Sequence, residues 1–163
     1  MAEIPATGAR LYFEDFKVGQ DFEWGELTVT EEEILEFGRR YDPAPIHIDP
    51  TAAADSVFGG LIASGWHVAA LMQRMQCESY LHRAEGIASP GVDEIKWLVP
   101  VRPGDRLSIR VEVTETRASR TRPDRGLVRV LATAINQRGE AVMSKQGKAF
   151  FRRRCGGPGP GGG

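Results

Sequence analysis

The sequence lacks the features that mark disulfide-rich, nucleic-acid-binding and membrane proteins. Its two cysteines, Cys77 and Cys155, lie in unrelated contexts and suggest neither a disulfide framework nor a CxxC metal motif. Its 21 basic and 22 acidic side chains nearly cancel, whereas nucleic-acid-binding domains usually carry a basic excess. No apolar run approaches the roughly 20 residues of a membrane span. We therefore expect neither a nucleic-acid partner nor a membrane partner.

The N-terminus also lacks the basic stretch followed by an apolar stretch that marks a secretory signal. A reduced, cytoplasmic location is the resulting expectation. A chain of 163 residues is long enough for one domain with a sizeable core. We predict a flexible N-terminus over 1–10, one domain over 11–154, and a disordered Gly/Pro tail over 155–163.

Two helix starts can be recognised from capping residues. Thr30 and Glu33 form a capping-box pattern, and the helix that they begin must end by Asp42, because the residue before a proline is disfavoured in helices. Asp49-Pro50 is typical of an N-cap followed by a proline in the first turn, so a short helix should span Pro50 to Ser56. Between these helices, the prolines predict a stiff loop that carries Asp42 and His47.

A third helix is the most apolar in the chain. Ser64 is a plausible N-cap, Gly65 follows it, and apolar residues recur at helical spacing up to about Leu81. Two of them, Met72 and Met75, are typical of a core-facing stripe. We therefore place this helix in the centre of the domain.

The second half of the chain predicts strands. Segments 91–101, 107–114, 126–136 and 141–152 have strand-like composition, and the last three form an antiparallel meander with tight turns. A strand at 22–29, kinked at Gly25, would make a sheet of four or five strands. An α+β hotdog fold follows, in which a curved antiparallel sheet wraps around one long central helix. Pairing with a second copy would cover an open sheet edge, so we expect a homodimer or a higher homo-oligomer.

The segment from Tyr41 to Met75 contains groups suited to adding water across a double bond conjugated to a thioester. The reaction needs a base, an acid and donors for the oxyanion. Asp42 and His47 can move protons, and Gly65 offers a backbone N–H at the positive end of a helix dipole. Asp42, His47 and Asp49 match no standard metal site, so we expect no metal and no cofactor.

The same residues resemble a known family. D-x-x-x-x-H, the overlapping H-x-D-P and the later F-G-G-x-I-A-S-G are similar to motifs of the MaoC-like, (R)-specific enoyl-CoA hydratase/dehydratase family. WLVPVRPGD, over 97–105, is similar to the strand and turn that follow the family's core helix, and the resemblance covers roughly 13–151. The matching residues are Asp42, His47, Ile48, Asp49, Pro50, Phe58, Gly59, Ile62, Ala63, Ser64 and Gly65.

The resemblance implies a hotdog homodimer with an acyl-CoA thioester bound near the dimer interface. It implies reversible addition of water to a trans-2-enoyl thioester, giving a (3R)-hydroxyacyl thioester. Asp42 and His47 would hold and activate the water, and Gly65 would donate its N–H to the thioester oxygen. Ser64 matches a polar residue of the site that positions the histidine or the start of the helix.

Two alternatives stay open. A hotdog acyl-CoA thioesterase would release free CoA, although an Asp–His pair before the core helix suits hydration better than a lone carboxylate on the helix does. A catalytically inactive acyl-CoA-binding subunit is the other alternative, because Ala44 stands where the family's best-characterised hydratases carry asparagine.

Overall fold

The computed structural model describes residues 8–154, which form a five-stranded antiparallel sheet and four α-helices. The strands are β1 Asp21–Thr28, β2 Gly86–Trp97, β3 Arg106–Ala118, β4 Arg125–Asn136 and β5 Ala141–Arg152. The helices are α1 Glu31–Tyr41, α2 Pro45–Ile48, α3 Pro50–Ala54 and α4 Gly65–Ser79, with single 3₁₀ turns at Phe13–Asp15 and Leu81–Arg83. The predicted tail and most of the predicted flexible N-terminus lie outside these residues.

The sheet has the strand order β1-β3-β4-β5-β2. The meander β3-β4-β5 is confirmed, and β1 joins it with an irregularity between Trp24 and Leu27, as the glycine there predicted. The bounds predicted for the strand after the core helix, 91–101, were wrong. The strand begins at Gly86 because β5 pairs with it through several bulges, and it ends at Trp97.

Helix α4 lies against the concave face of this sheet. Met72 and Met75 are fully buried or nearly so, at 0% and 2% exposure, which confirms the predicted core stripe. Alternate residues of β3, from Leu107 to Val113, are also buried and face the interior. Each such aliphatic side chain contributes about 1.5–3 kcal/mol by leaving water. The predicted hotdog architecture is therefore confirmed.

Capping residues fix the two helix starts that the sequence predicted. The Thr30 hydroxyl accepts the N–H of Glu33 at 3.2 Å, and the Glu33 carboxylate accepts the N–H of Thr30 at 3.0 Å. The Asp49 carboxylate accepts the N–H groups of Thr51 and Ala52, so it caps α3. This use of Asp49 directs its carboxylate toward the backbone of α3.

The prediction of a stiff loop from Asp42 to His47 was partly wrong. Pro45 starts the short helix α2, and His47 lies within it. Ala44, before the proline, is extended with ψ 140°, as a residue before proline prefers. Proline is compatible with the first turn of a helix, because the N–H groups there have no partner in the helix, and this explains the helix.

The two edges of the sheet differ. At β1, Gly25 has φ +82° and interrupts the ladder, and Glu23 and Glu26 are exposed; bulges and charges of this kind protect a sheet edge from further pairing. At β2, the outer edge has no partner strand among residues 8–154, and Val92 and Trp97 are each 50% exposed. No helix of the described part is long and apolar enough to cross a membrane.

Candidate active site

A cavity of about 450 Å³ opens beside the N-terminus of α4. Its walls come from α2, from the first turn of α4 and from the segment that follows β2. The residues that line it are Asp42, His47, Phe58, Ile62, Ala63, Gly65, Trp66, Val68, Trp97, Leu98, Val99, Pro100, Val101 and Val142. A wider depression along the outer face of α1 contains mainly exposed glutamates and arginines and none of the predicted site residues.

His47 is held in one orientation by the backbone. Its Nδ1 lies 2.8 Å from the carbonyl oxygen of Ile62, and the residue is only 7% exposed. A carbonyl oxygen can only accept, so Nδ1 carries the proton and donates it to this bond. In the neutral ring, Nε2 therefore presents its lone pair. Nε2 lies 3.5 Å from Asp42 Oδ2, which is longer than a normal hydrogen bond and leaves both groups able to share a small polar molecule.

Ser64 connects the start of α4 to Asp42. Its hydroxyl donates to Asp42 Oδ2 at 2.7 Å and accepts the N–H of Trp66 at 3.2 Å, so one buried side chain caps the helix and orients the carboxylate. The helix cap predicted for Ser64 is present, whereas the hydroxyl bonds to Asp42 and makes no hydrogen bond to His47 within residues 8–154.

We expect Ser64→Ala to lower both stability and turnover. Loss of an N-cap hydroxyl costs about 0.5–2 kcal/mol of unfolding free energy, and Asp42 would lose its fixed donor. Urea denaturation and steady-state kinetics measure the two effects. The control is Thr30→Ala, which removes a cap of α1 at an exposed position outside the cavity. An equal loss of turnover in both variants would contradict a positioning role for Ser64.

Gly65 brings a free N–H to the cavity wall. It is the first residue of α4, so its N–H has no acceptor within the helix, and no hydrogen bond from it occurs elsewhere in residues 8–154. The indole of Trp97 packs directly on Gly65, and a Cβ atom added there would overlap the ring. Close approach of an aromatic wall is therefore a second reason for glycine at this position.

Gly38 likewise allows close packing, in this case of α1 against the backbone of His47. It is buried inside α1, where a Cβ atom would lie 2.8 Å from the carbonyl oxygen of His47 and 2.9 Å from Cγ2 of Ile48. The sequence interpretation missed this residue, although an isolated glycine inside a helical pattern is a signal of close packing. It also missed the carbonyl of Ile62 that orients His47, for which a single sequence gives no signal.

We expect Gly38→Ala to destabilise the protein, although alanine is normally preferred to glycine in a helix by about 1 kcal/mol. The methyl group meets backbone, which must shift and carry His47 with it. Melting temperature and turnover should fall together. The control is Gly86→Ala, where a Cβ atom makes only an ordinary contact at 3.8 Å with Phe151. A Gly38→Ala variant more stable than wild type would contradict the packing argument.

His67, two residues after Gly65, does not line the cavity. Its ring stacks on Phe37 with 4.8 Å between centroids, and its buried Nδ1 has no hydrogen-bond partner. Burial lowers the pKa of His67, and the nearby Glu33 carboxylate offsets only part of that effect. The His67 ring therefore favours its neutral form, because burying a neutral ring costs less free energy than burying a charged one.

The fold and the cavity together define a class of protein: a hotdog domain with an Asp–His pair facing the N-terminus of its central helix. The sequence matches the family described as "MaoC like domain" over residues 15–136. The chain belongs to the MaoC-like dehydratase family. At the level of the family, this supports a hydratase or dehydratase.

Three individual proteins illustrate the similarity to this family. The chain is 41% identical to a MaoC-like dehydratase from Rhodospirillum rubrum, with 88% of this chain and 98% of that chain covered and a TM-score of 0.83. It is 36% identical over 93 residues to the 3-hydroxyacyl-thioester dehydratase Z of Mycobacterium tuberculosis, a match that covers 56% of this chain and 60% of that protein. The R-hydratase PhaJ1 from Pseudomonas aeruginosa shares the fold, at 23% identity and a TM-score of 0.70, over 89% of this chain and 88% of that chain.

Proposed function

We propose that the protein catalyses reversible addition of water to a trans-2-enoyl thioester, giving a (3R)-hydroxyacyl thioester. The observation that carries the proposal is the convergence of the Asp42 carboxylate, His47 Nε2 and the free N–H of Gly65 on one cavity. The M. tuberculosis relative, named a 3-hydroxyacyl-thioester dehydratase, supports the thioester as the substrate class.

In the hydration direction, a water molecule bridges Asp42 and His47. His47 Nε2 takes one proton of the water while the water oxygen bonds to the β-carbon of the enoyl group. Electron density moves to the thioester oxygen, and the α-carbon then gains a proton from the Asp–His pair. Asp42 Oδ2 already accepts the Ser64 hydroxyl, so its orientation is fixed before the substrate arrives. Positioned acid–base groups of this kind contribute about 10²–10⁴-fold in rate.

Gly65 stabilises the charge that develops on the thioester oxygen. Its N–H points out of the first turn of α4, where the helix dipole adds about half a positive charge. A single donor of this kind contributes about 10²–10³-fold in kcat. The apolar walls made by Trp97 and Val99 limit access of competing water to the enolate.

The test is a panel of trans-2-enoyl-CoA substrates, from crotonyl-CoA to longer chains, followed by loss of the absorbance of the conjugated thioester. A dehydrogenase specific for (3R)- or (3S)-hydroxyacyl-CoA then assigns the product. We expect turnover and the (3R) product. Release of free thiol, detected with a thiol-reactive dye, would instead indicate a thioesterase. Calorimetric binding of acyl-CoA without turnover would indicate an inactive binding subunit.

We further propose that two copies pair through their β2 edges. This edge is twelve residues long, carries exposed Val92 and Trp97, and ends beside the exposed Trp66 and Leu98. β2 has bulges and charged residues of its own, as β1 does, but its exposed apolar side chains continue into Trp66 and Leu98 beside it. Burial of this apolar surface favours pairing with a second copy. Paired β2 strands would bring the partner close to the cavity, since Trp97 lines its wall.

We expect light scattering after size-exclusion chromatography to give twice the mass of the chain. Val92→Lys should shift the protein to monomer, because an edge lysine opposes strand pairing. Val18→Lys is the matched control, since Val18 is 63% exposed and lies outside every strand. A wild-type monomer, or the same dimer in both variants, would contradict this arrangement.

A further inference from the structure

A second cavity, of about 140 Å³, lies under the C-terminal half of α4, between that helix and the sheet. Its walls are largely apolar and include Phe16, Phe151, Val92, Val128 and Val130. The space is large enough for several water molecules or for one small organic molecule. It shares no lining residue with the candidate active site.

Two lysines of β5, Lys145 and Lys148, line this cavity, and Lys145 contacts α4. Lys145, in the middle of β5, directs its ammonium group toward α4 and donates to Gln76 Oε1 at 2.7 Å and to Gln73 Oε1 at 2.9 Å. Gln76 is itself only 2% exposed, and its Nε2 donates to the hydroxyl of the buried Tyr80 at 3.1 Å. A chain of hydrogen bonds therefore holds the ammonium group in place.

The ammonium group of Lys145 has no carboxylate partner in the described part of the chain. No carboxylate within residues 8–154 lies within 4 Å of Nζ of Lys145; Asp93, on the neighbouring strand, contacts Lys148 and Arg129 instead. Two amide oxygens accept from Lys145, and an ammonium has three N–H donors, so one donor has no acceptor among residues 8–154 and is left for solvent or a ligand. Burial lowers the pKa of Lys145, which reflects the cost of a cation in this apolar setting.

A lysine that is held in place, lines a largely apolar cavity and has no carboxylate partner among residues 8–154 has the properties of a carboxylate-binding site. Lys145 is half-buried, and its ammonium group has two amide acceptors but no carboxylate among residues 8–154. Lys148 also lines the cavity, but Asp93 neutralises it, so Lys145 is the lysine of the lining that is left without a carboxylate among residues 8–154. Phosphate or sulfate would need several free donors. We propose that this cavity binds a monocarboxylate with a short alkyl body through Lys145.

Such a carboxylate has two sources. It is either a free small acid or the distal end of an acyl chain whose thioester lies in the first cavity. Gly65 and Gln73, which line the two cavities, are eight residues apart on α4, or about 12 Å along its axis at 1.5 Å per residue. The carboxylate chemistry is the same in both cases, and binding of a free acid requires no turnover, so this proposal is tested separately from the proposed function.

The experiment uses butyrate as the probe and butyramide as its neutral counterpart, with binding to the full chain measured by calorimetry. We expect butyrate to bind and butyramide to bind at least tenfold more weakly. Lys145→Met should weaken butyrate binding by about 10–100-fold, because a hydrogen bond to a charged group is lost. In wild type, NMR of the lysine Nζ should show that bound butyrate raises the pKa of Lys145, since a nearby anion favours the charged amine.

Equal binding of butyrate and butyramide, or an unchanged pKa of Lys145 at saturating butyrate, would overturn the proposal, even if the methionine variant fails to fold. The two sources are separated by kinetics, with crotonyl-CoA compared with an enoyl-CoA that ends in a carboxylate. Butyrate that competes only with the carboxylated substrate identifies the acyl chain as the source. Butyrate that binds without such competition identifies a free acid. Both results support carboxylate recognition by Lys145.

Discussion

His47→Gln is expected to reduce kcat for hydration of crotonyl-CoA by about 10²–10⁴-fold. The glutamine amide reaches the position of Nε2 but has no lone pair of useful basicity there, and the carbonyl of Ile62 loses its Nδ1–H donor. Thermal denaturation of the variant measures the structural part of the effect. Asp42→Asn should have an effect in the same range, since the amide oxygen still accepts from Ser64 while the carboxylate is lost. Stopped assays with high enzyme concentration measure the residual rates.

His82→Gln is the matched control for these variants. His82 is exposed in a 3₁₀ turn after α4, where its ring contacts the carbonyl of Cys77, and it does not line the cavity. Turnover by the His82→Gln variant should equal that of wild type. Because Asp42 and His47 act on the same water, the double variant should be little worse than the poorer single variant. Wild-type rates in either single variant would remove that residue from the mechanism.

Gly65→Pro is expected to lower kcat by about 10²–10³-fold relative to Gly65→Ala. Proline removes the N–H and nothing else that the helix needs, because the first helical position makes no intrahelical bond from its N–H. The residue before it, Ser64, has ψ 140°, which a following proline accepts. Comparison of kcat at saturating substrate measures the loss of the oxyanion donor together with the space that the proline Cδ takes in its place.

The alanine variant supplies the control for packing. Both substitutions place a Cβ atom against the indole of Trp97, so both should lower stability, and thermal denaturation would show the shared cost. Only proline deletes the donor. Equal kcat in the two variants would mean that the N–H of Gly65 does not contribute to the reaction.

Features with a local physical cause could be predicted from the sequence. The helix starts at Thr30 and Asp49 depend on hydrogen bonds across three residues, and the core stripe of α4 depends on a period of 3.6. The predicted site residues Asp42, His47, Ser64 and Gly65 do come together in the structure, and their catalytic roles are the subject of the predictions above.

Features that depend on distant partners could not be predicted. The start of β2 at Gly86 requires β5, which lies more than 50 residues later in the chain. The tautomer of His47 is set by a carbonyl 15 residues away, and the need for glycine at Gly38 arises from the backbone of His47. The position of Lys145 under α4 results from sheet curvature, which no local pattern specifies.

Trp97 links the β2 edge to the candidate active site. It belongs to β2, whose outer edge has no partner strand among residues 8–154, and its indole also packs on Gly65. Subunit association and oxyanion binding would therefore depend on the same strand. In the proposed dimer, the partner strand would restrict Trp97 and fix that wall of the cavity. Specific activity would then decrease on dilution as dimers dissociate, and the enzyme would respond to its own concentration.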